Sequence, residues 1–181
     1  MLDDHDIIAL VRNGDSNSFG GLVERYQSII GRYLFRLTGD YQIAQDLSQE
    51  TFIKAFEAIP KTNSELQFKP WLFRIATNNA NQYFRRKKIL SFIPLSDSGK
   101  QEQTSNIEES DCAENKIVIE DILLKIPEKR RTCMLMHFVE GLKYEEIGSI
   151  LGITAQAVRK RVFRGSEEFK KLVQEYGGMK I

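Results

Sequence analysis

Apolar residues recur every three or four positions along most of this chain and nothing reads convincingly as a strand, so the pattern predicts an all-α protein. Phe19, Leu22, Val23, Tyr26, Ile29, Ile30, Tyr33, Leu34 and Leu37 form one sustained stripe, with Asp15 placed to cap it and Gly39 to stop it. Gly20 and Gly21 weaken its first turn by ~1 kcal/mol each relative to alanine, which implies close packing against a neighbour or simple tolerance. A second stripe, Ile43, Ala44, Leu47, Thr51, Phe52, Ala55, Phe56 and Ile59, starts after Asp40 and ends at Pro60. Trp71, Leu72 and Ile75 mark the inward edge of a third helix, whose first turn tolerates Pro70 because no helical N–H bond is lost there. Residues 117–126 then form a helix ended by Pro127, and residues 128–139 another that buries Met134, Leu135 and Phe138.

Residues 143–165, KYEEIGSILGITAQAVRKRVFRG, read as two short helices around a tight turn. Ile147, Ile150 and Leu151 give the first an apolar stripe, and Gly152 can take the left-handed backbone that stops it. Thr154 caps the second helix, in which Val158, Val162, Phe169 and Leu172 keep an inward stripe.

The pattern fails between these helical blocks. Residues 91–114, SFIPLSDSGKQEQTSNIEESDCAE, are rich in Ser, Gln and acids, with one Lys against six Asp/Glu. Such a segment buries too little apolar surface to offset its ordering entropy. The expected organisation is therefore two small helical domains, residues 1–88 and 115–181, joined by a flexible acidic linker over 89–114. The C-terminal domain contains the helix-turn-helix.

Charge gives that helix pair a purpose. From residue 154 to 171 six Lys/Arg face only Glu167 and Glu168, in a chain whose formal net charge is +1. A solvated basic face is the bland alternative. The order of parts (acidic first helix, Gly in the turn, Thr cap, short polar residues, then cations) favours a recognition helix in a DNA groove. Gln156 and Arg159 are the expected base readers, with Lys160 second, because an amide matches adenine and a guanidinium guanine. Arg161, Arg164 and Lys171 are expected on phosphates.

A second basic region lies in the first domain. Residues 66–96 contain no Asp or Glu, whereas Lys69, Arg74, Arg85, Arg86, Lys87 and Lys88 supply six positive charges. The stretch also holds Phe68, Trp71, Phe73, Tyr83 and Phe84 and the polar cluster Thr77, Asn78, Asn79, Asn81 and Gln82. Rings, amides and cations together suit unpaired strands, whose bases offer faces for stacking and free edges for hydrogen bonds. Trp71 is read mainly as packing, and Phe73 and Phe84 as core. The amides form poor helices and have no packing purpose in the pattern, so the polar face carries the nucleic-acid reading.

Other chemistry finds little support. No window approaches the ~20 apolar residues of a membrane helix, and the first residues lack the basic start and apolar core of a secretory signal, so a cytoplasmic protein is expected. Cys112 and Cys133 are too far apart for a CxxC pair; Cys133 reads as a small core residue. His5 and His137 are read as standing alone, without the second ligand on the same face that a metal site would need, so no metal and no cofactor are expected. A ligand-sensing repressor would need a sensory pocket, and a nuclease clustered acids for a metal, which residues 66–96 lack.

Four motifs, in order, carry a resemblance: DSNSFGGLVERY, AQDLSQETFIKAF, FKPWLFRIATNNANQYFRR and IPEKRRTCMLMHFVEGLKYEEIGSILGITAQAVRKRVFRG. Together they resemble the extracytoplasmic-function (ECF) sigma factors of bacterial RNA polymerase, over almost everything from Asp15 to Leu172 except the linker. The resemblance implies that Asp46, Leu47, Gln49, Glu50 and Phe52 dock on the clamp helices of the largest subunit of core polymerase. It implies that residues 60–86 capture the melted promoter −10 element, with the 61–67 loop as a pocket for a flipped base. The implied −10 contacts are Phe68, Lys69, Trp71, Arg74, Asn78, Asn81, Arg85 and Arg86. Thr154, Gln156, Arg159, Lys160, Phe163 and Arg164 are the implied −35 contacts. An anti-sigma factor is the further implied partner beside core polymerase and promoter DNA, and no enzymatic activity is expected of the chain. It departs from the family at Asn81 and Gln82, where an apolar residue and Asp are usual, and at Gly148, where Ala is usual.

Overall fold

Three helices of this chain start by the same device, a short side-chain oxygen accepting the N–H three residues on. Asp3 accepts from Asp6 at 2.8 Å, Asp40 from Ile43 at 3.0 Å and Thr154 from Ala157 at 3.2 Å. The structure, a computed structural model, describes residues 2–63, 65–91 and 111–176. Eight α-helices and no strand occur among the described residues. They are α1 (Asp4–Arg12), α2 (Phe19–Thr38), α3 (Tyr41–Ala58), α4 (Phe68–Ser91), α5 (Asp111–Lys125), α6 (Glu128–Met134), α7 (Tyr144–Leu151) and α8 (Ala155–Glu175).

The pattern did not anticipate α1. Its signal is short: a reciprocal cap between Asp3 and Asp6, then Ile7, Ile8 and Val11 on one face, all buried. It explains Gly21, where an added Cβ would come within 3.2 Å of Ile7, whereas Gly20 has open space and is tolerated. Asp15 caps a 3-10 turn, Ser16–Ser18, that runs into α2, rather than α2 itself. Ser18 donates to its carboxylate at 2.6 Å, which holds the Asp15 carboxyl below the ordinary range.

Two expected core rings lie outside. Phe56 is half out of the core on α3 and Phe138 is exposed. Residues Leu135–Val139 continue α6 as a wider π-type turn, which changes the angle per residue and turns Phe138 off the buried face. Cys133 is fully buried, as read from the pattern, and burial pushes its thiol pKa up against an opposing Arg161.

One apolar cluster extends from Ile7 in α1 to Val162 in α8, so the N-terminal and C-terminal helices share a core. Gly39, left-handed at φ 73°, closes α2 and leaves room for Leu124 of α5, which an added Cβ would meet at 2.6 Å. α4 reaches Ser91 and α5 begins at Asp111, so helix covers both ends of the stretch expected as linker. Its middle, residues 92–110, lies outside the described residues.

Candidate nucleic-acid interface

The C-terminal helix pair is built around a narrow turn. Gly152 ends α7 at φ 65°, and α7 comes so close to the turn that a Cβ on Gly148 would lie 2.7 Å from the Ile153 carbonyl oxygen. Glu146 accepts the Lys143 N–H at 2.7 Å and Thr154 caps α8, so both helix starts are satisfied at the surface. Val158, Val162 and Gly165 form the inner face of α8, and Gly165 lets Met134 of α6 lie directly against the helix.

That anchoring fixes what points outward. Gln156, Arg159, Lys160, Phe163 and Arg164 fall at i, i+3, i+4, i+7 and i+8, all exposed. None of the five has a hydrogen bond or ion pair among the described residues, and Phe163 is 66 % exposed with no core to serve. Exposed cations without internal partners, on a helix held by its opposite face, form a surface for a polyanion. Arg161, expected on phosphate, instead turns half-buried toward α6 and Cys133, and Lys171 faces Glu175 at 3.8 Å.

On α4 the structure divides the expected −10 residues. Trp71, Arg74, Asn78, Asn81 and Arg85 lie on one stripe, the last four exposed and Trp71 half-buried. Arg86 is exposed on an adjacent face. Phe68 is a correction: it is 2 % exposed, packed between Tyr26 at 5.3 Å and Trp71 at 5.9 Å, because it is the first turn's contact with α2. Lys69 points away from the stripe and donates to the Glu140 carbonyl at 3.0 Å. Phe73 is fully buried against Tyr33, at 5.0 Å, as expected of a core ring.

The amide cluster also divides. Asn78 and Asn81 are exposed, but Asn79 is buried, accepting from Lys54 at 2.6 Å and donating to Thr51 at 3.1 Å. Thr77 is buried too, bonded to Tyr33 at 2.9 Å and donating to the Phe73 carbonyl at 2.7 Å. These two residues pin α4 to α3 and α2, a packing purpose that the pattern did not reveal.

On α3, Asp46, Gln49 and Glu50 are exposed along one edge, whereas Leu47 and Phe52 are buried and support that edge from beneath. Gln42 donates to Asp46 at 3.3 Å, and Lys54 pairs with Glu50 at 2.6 Å. Beside this edge runs a groove of about 1100 Å3 between α2 and α3, with Phe19, Val23, Phe35, Phe52, Ile53 and Phe56 in its floor and walls. Sequence reasoning missed it; the available signal was Ile53, an apolar residue on the polar side of α3 and 52 % exposed.

Among the described residues, ligand-type atoms of Asp3, His5 and Asp6 come together on the surface, but the two carboxylates already cap the start of α1. No helix among the described residues is long and apolar enough to cross a membrane.

The chain matches the family models for sigma-70 region 2 over residues 22–89 and sigma-70 region 4 over residues 116–168. It is 30% identical to the ECF RNA polymerase sigma factor SigW of Bacillus subtilis, over 93% of this chain and 95% of that protein. It is 31% identical to the ECF RNA polymerase sigma-E factor of Haemophilus influenzae, over 96% of this chain and 97% of that protein. Two solved structures share the fold. CnrH in complex with the cytosolic domain of CnrY superposes with a TM-score of 0.73 at 20% identity, covering 95% of this chain and 97% of CnrH. The sigma factor RpoE of Bartonella quintana, in complex with the anti-sigma factor NepR, gives 0.67 at 19%, covering 86% and 96%.

Proposed function

Because this chain belongs to the ECF RNA polymerase sigma factors and so directs transcription initiation by the polymerase, we propose a specific division of labour along it. α8 reads the −35 duplex through Gln156 and Arg159, with Lys160 and Phe163 beside them and Arg164 on phosphate. The exposed stripe Trp71, Arg74, Asn78, Asn81 and Arg85, with Arg86 next to it, takes the melted −10 strand. Asp46, Gln49 and Glu50 meet the clamp helices of the polymerase, held in place by buried Leu47 and Phe52.

One observation carries this reading: the outward row of α8 holds three cations, an amide and an aromatic ring with no internal partner, while its opposite face is locked into the core. A helix that needed only solubility would pair its charges, as Lys170 and Glu167 do at 3.1 Å farther along.

Catalysis belongs to the polymerase, so the chain contributes binding and positioning only, in the bacterial cytoplasm. Unstacking a promoter base costs a few kcal/mol, which stacking on Trp71 and contacts from Asn78, Asn81 and Arg85 offset. An anti-sigma factor silences the chain by covering such surfaces; the anti-sigma factor bound to RpoE supports this, as does the open apolar groove between α2 and α3.

Run-off transcription with purified core polymerase over a library of genomic fragments tests the whole. Discrete start sites that require this chain are expected. Failure to co-purify with core, or initiation no different from core alone, would sink it.

A further inference from the structure

Where α3 meets α4, the side chains of Thr51, Asn79, Lys54 and Glu50 form one directed series of bonds. The Thr51 hydroxyl donates to the Leu47 carbonyl at 2.7 Å, so its oxygen is left to accept. The Asn79 amide NH2 donates to that oxygen at 3.1 Å, which turns the Asn79 carbonyl oxygen toward Lys54. The Lys54 ammonium donates to it at 2.6 Å and pairs with Glu50 at 2.6 Å. The order cannot reverse, because a flipped amide would set its NH2 against an ammonium and its oxygen against a hydroxyl already in use.

The two ends of the series differ in surroundings. Asn79 is 3 % exposed and Thr51 is fully buried, whereas the side chains of Lys54 and Glu50 are 40 % and 47 % exposed. An ion pair that open to water is weak and screened by salt, so Glu50 can give up its lysine. The bond to Asn79 has a buried, oriented acceptor and is the firmer anchor. Glu50 shares with Asp46 the exposed edge assigned to the polymerase, and two carboxylates complement a cationic partner. An ammonium free to settle on Glu50 would compete with that partner.

We propose that Lys54 is a positioning residue for polymerase docking: Asn79 parks its ammonium on the α4 side of the edge, and Glu50 exchanges it for a cation of the partner. The inference rests on the docking reading above and adds to it a dependence on a buried residue of another helix.

The test measures binding of the full chain to purified core polymerase over a range of salt, at a temperature where thermal unfolding shows each variant folded. Lys54→Met removes the competing charge and should tighten binding at low salt by roughly 2–5-fold, the range of one exposed ion pair. Asn79→Ala frees the ammonium to close over Glu50 and should weaken binding by a similar factor. Both effects should fade at high salt and vanish in a Glu50→Gln background. The double variant of Lys54→Met and Asn79→Ala should bind like Lys54→Met alone. A merely structural contact would lower stability in both single variants and shift binding in the same direction, which overturns the proposal. Effects that persist in Glu50→Gln, or that ignore salt, overturn it too. If Glu50→Gln weakens binding while Lys54→Met and Asn79→Ala leave it unchanged, only the parking role falls, whereas a Glu50→Gln chain that binds core as before loses the docking role of Glu50 as well.

Discussion

Arg131 of α6 donates to the Leu37 carbonyl of α2 at 2.7 Å, across 94 positions of sequence. Its other terminal nitrogen donates to the Leu124 and Leu123 carbonyls at the end of α5, at 2.8 and 3.3 Å. One buried guanidinium therefore sits where two helix C-termini converge, the negative ends of their dipoles. The same bond ties the C-terminal helices to the N-terminal ones.

Arg131→Leu is expected to destabilise the chain by about 2–3 kcal/mol, because three carbonyls, those of Leu37 and Leu123 in buried bonds, lose a charged donor. Arg131→Lys should recover only part of this, since a point charge cannot replace the fork. Chemical denaturation measures the loss, and a fluorophore pair on α3 and α8 should report wider separation in the leucine variant. Unchanged separation would show that the apolar contacts alone hold the lobes together.

Gly148→Ala should destabilise, against helix propensity, which favours alanine by ~1 kcal/mol. The added methyl meets the Ile153 carbonyl oxygen at 2.7 Å, a backbone atom that cannot swing aside, and overpacking of this kind costs about 1–3 kcal/mol. Thermal unfolding of the variant checks the sign; a gain in Tm would mean that the turn relaxes freely.

Asn79→Ala and Asn78→Ala should separate fold from function. The first strips a buried amide from Lys54 and Thr51 and should cost about 1–3 kcal/mol of stability. The second removes an exposed side chain, so stability should stay within about 0.5 kcal/mol while binding of a −10 single strand weakens. Calorimetry beside oligonucleotide titration distinguishes them.

Arg159→Ala should relax preference at one base of the −35 site by ~1–3 kcal/mol, whereas Arg164→Ala should weaken all duplexes alike and flatten the salt slope. Competition binding with single-base variants of the site reads both. Sequence-blind losses for both substitutions would remove Arg159 from the readers.

Glu140 provides a pH dependence. Burial pushes its carboxyl pKa up, against the opposing charges of Lys69, Arg36 and Arg32. The folded chain thus holds this proton more tightly than the unfolded chain, so the contribution to stability is full below the ordinary glutamate range and is lost as pH rises through the raised value. Glu140→Gln should therefore raise Tm at neutral pH, with the difference from the unsubstituted protein vanishing in acid. A difference independent of pH would rule out this titration.

The sequence by itself determined the helices, because local periodicity and caps are written in adjacent residues. The stripes of α2 and α3, the stop at Gly39, the cap at Thr154 and the Gly152 turn are all legible without a neighbour. So is the cationic character of α8, since charge at helical spacing needs no tertiary information. The start of α1 was equally local but too short to stand out. What only the tertiary structure decided is which polar residues are internal. Asn79, Thr77, Lys69 and Arg131 look like surface residues in the pattern, yet each bonds a group between 25 and 94 positions away. Conversely, Phe56 and Phe138 look like core, yet the groove between α2 and α3 and the π-type turn leave them partly or largely open. The physical reason is range: a helix forms from bonds four residues apart, whereas the partner that satisfies or buries a side chain is supplied by whichever helix packing brings against it.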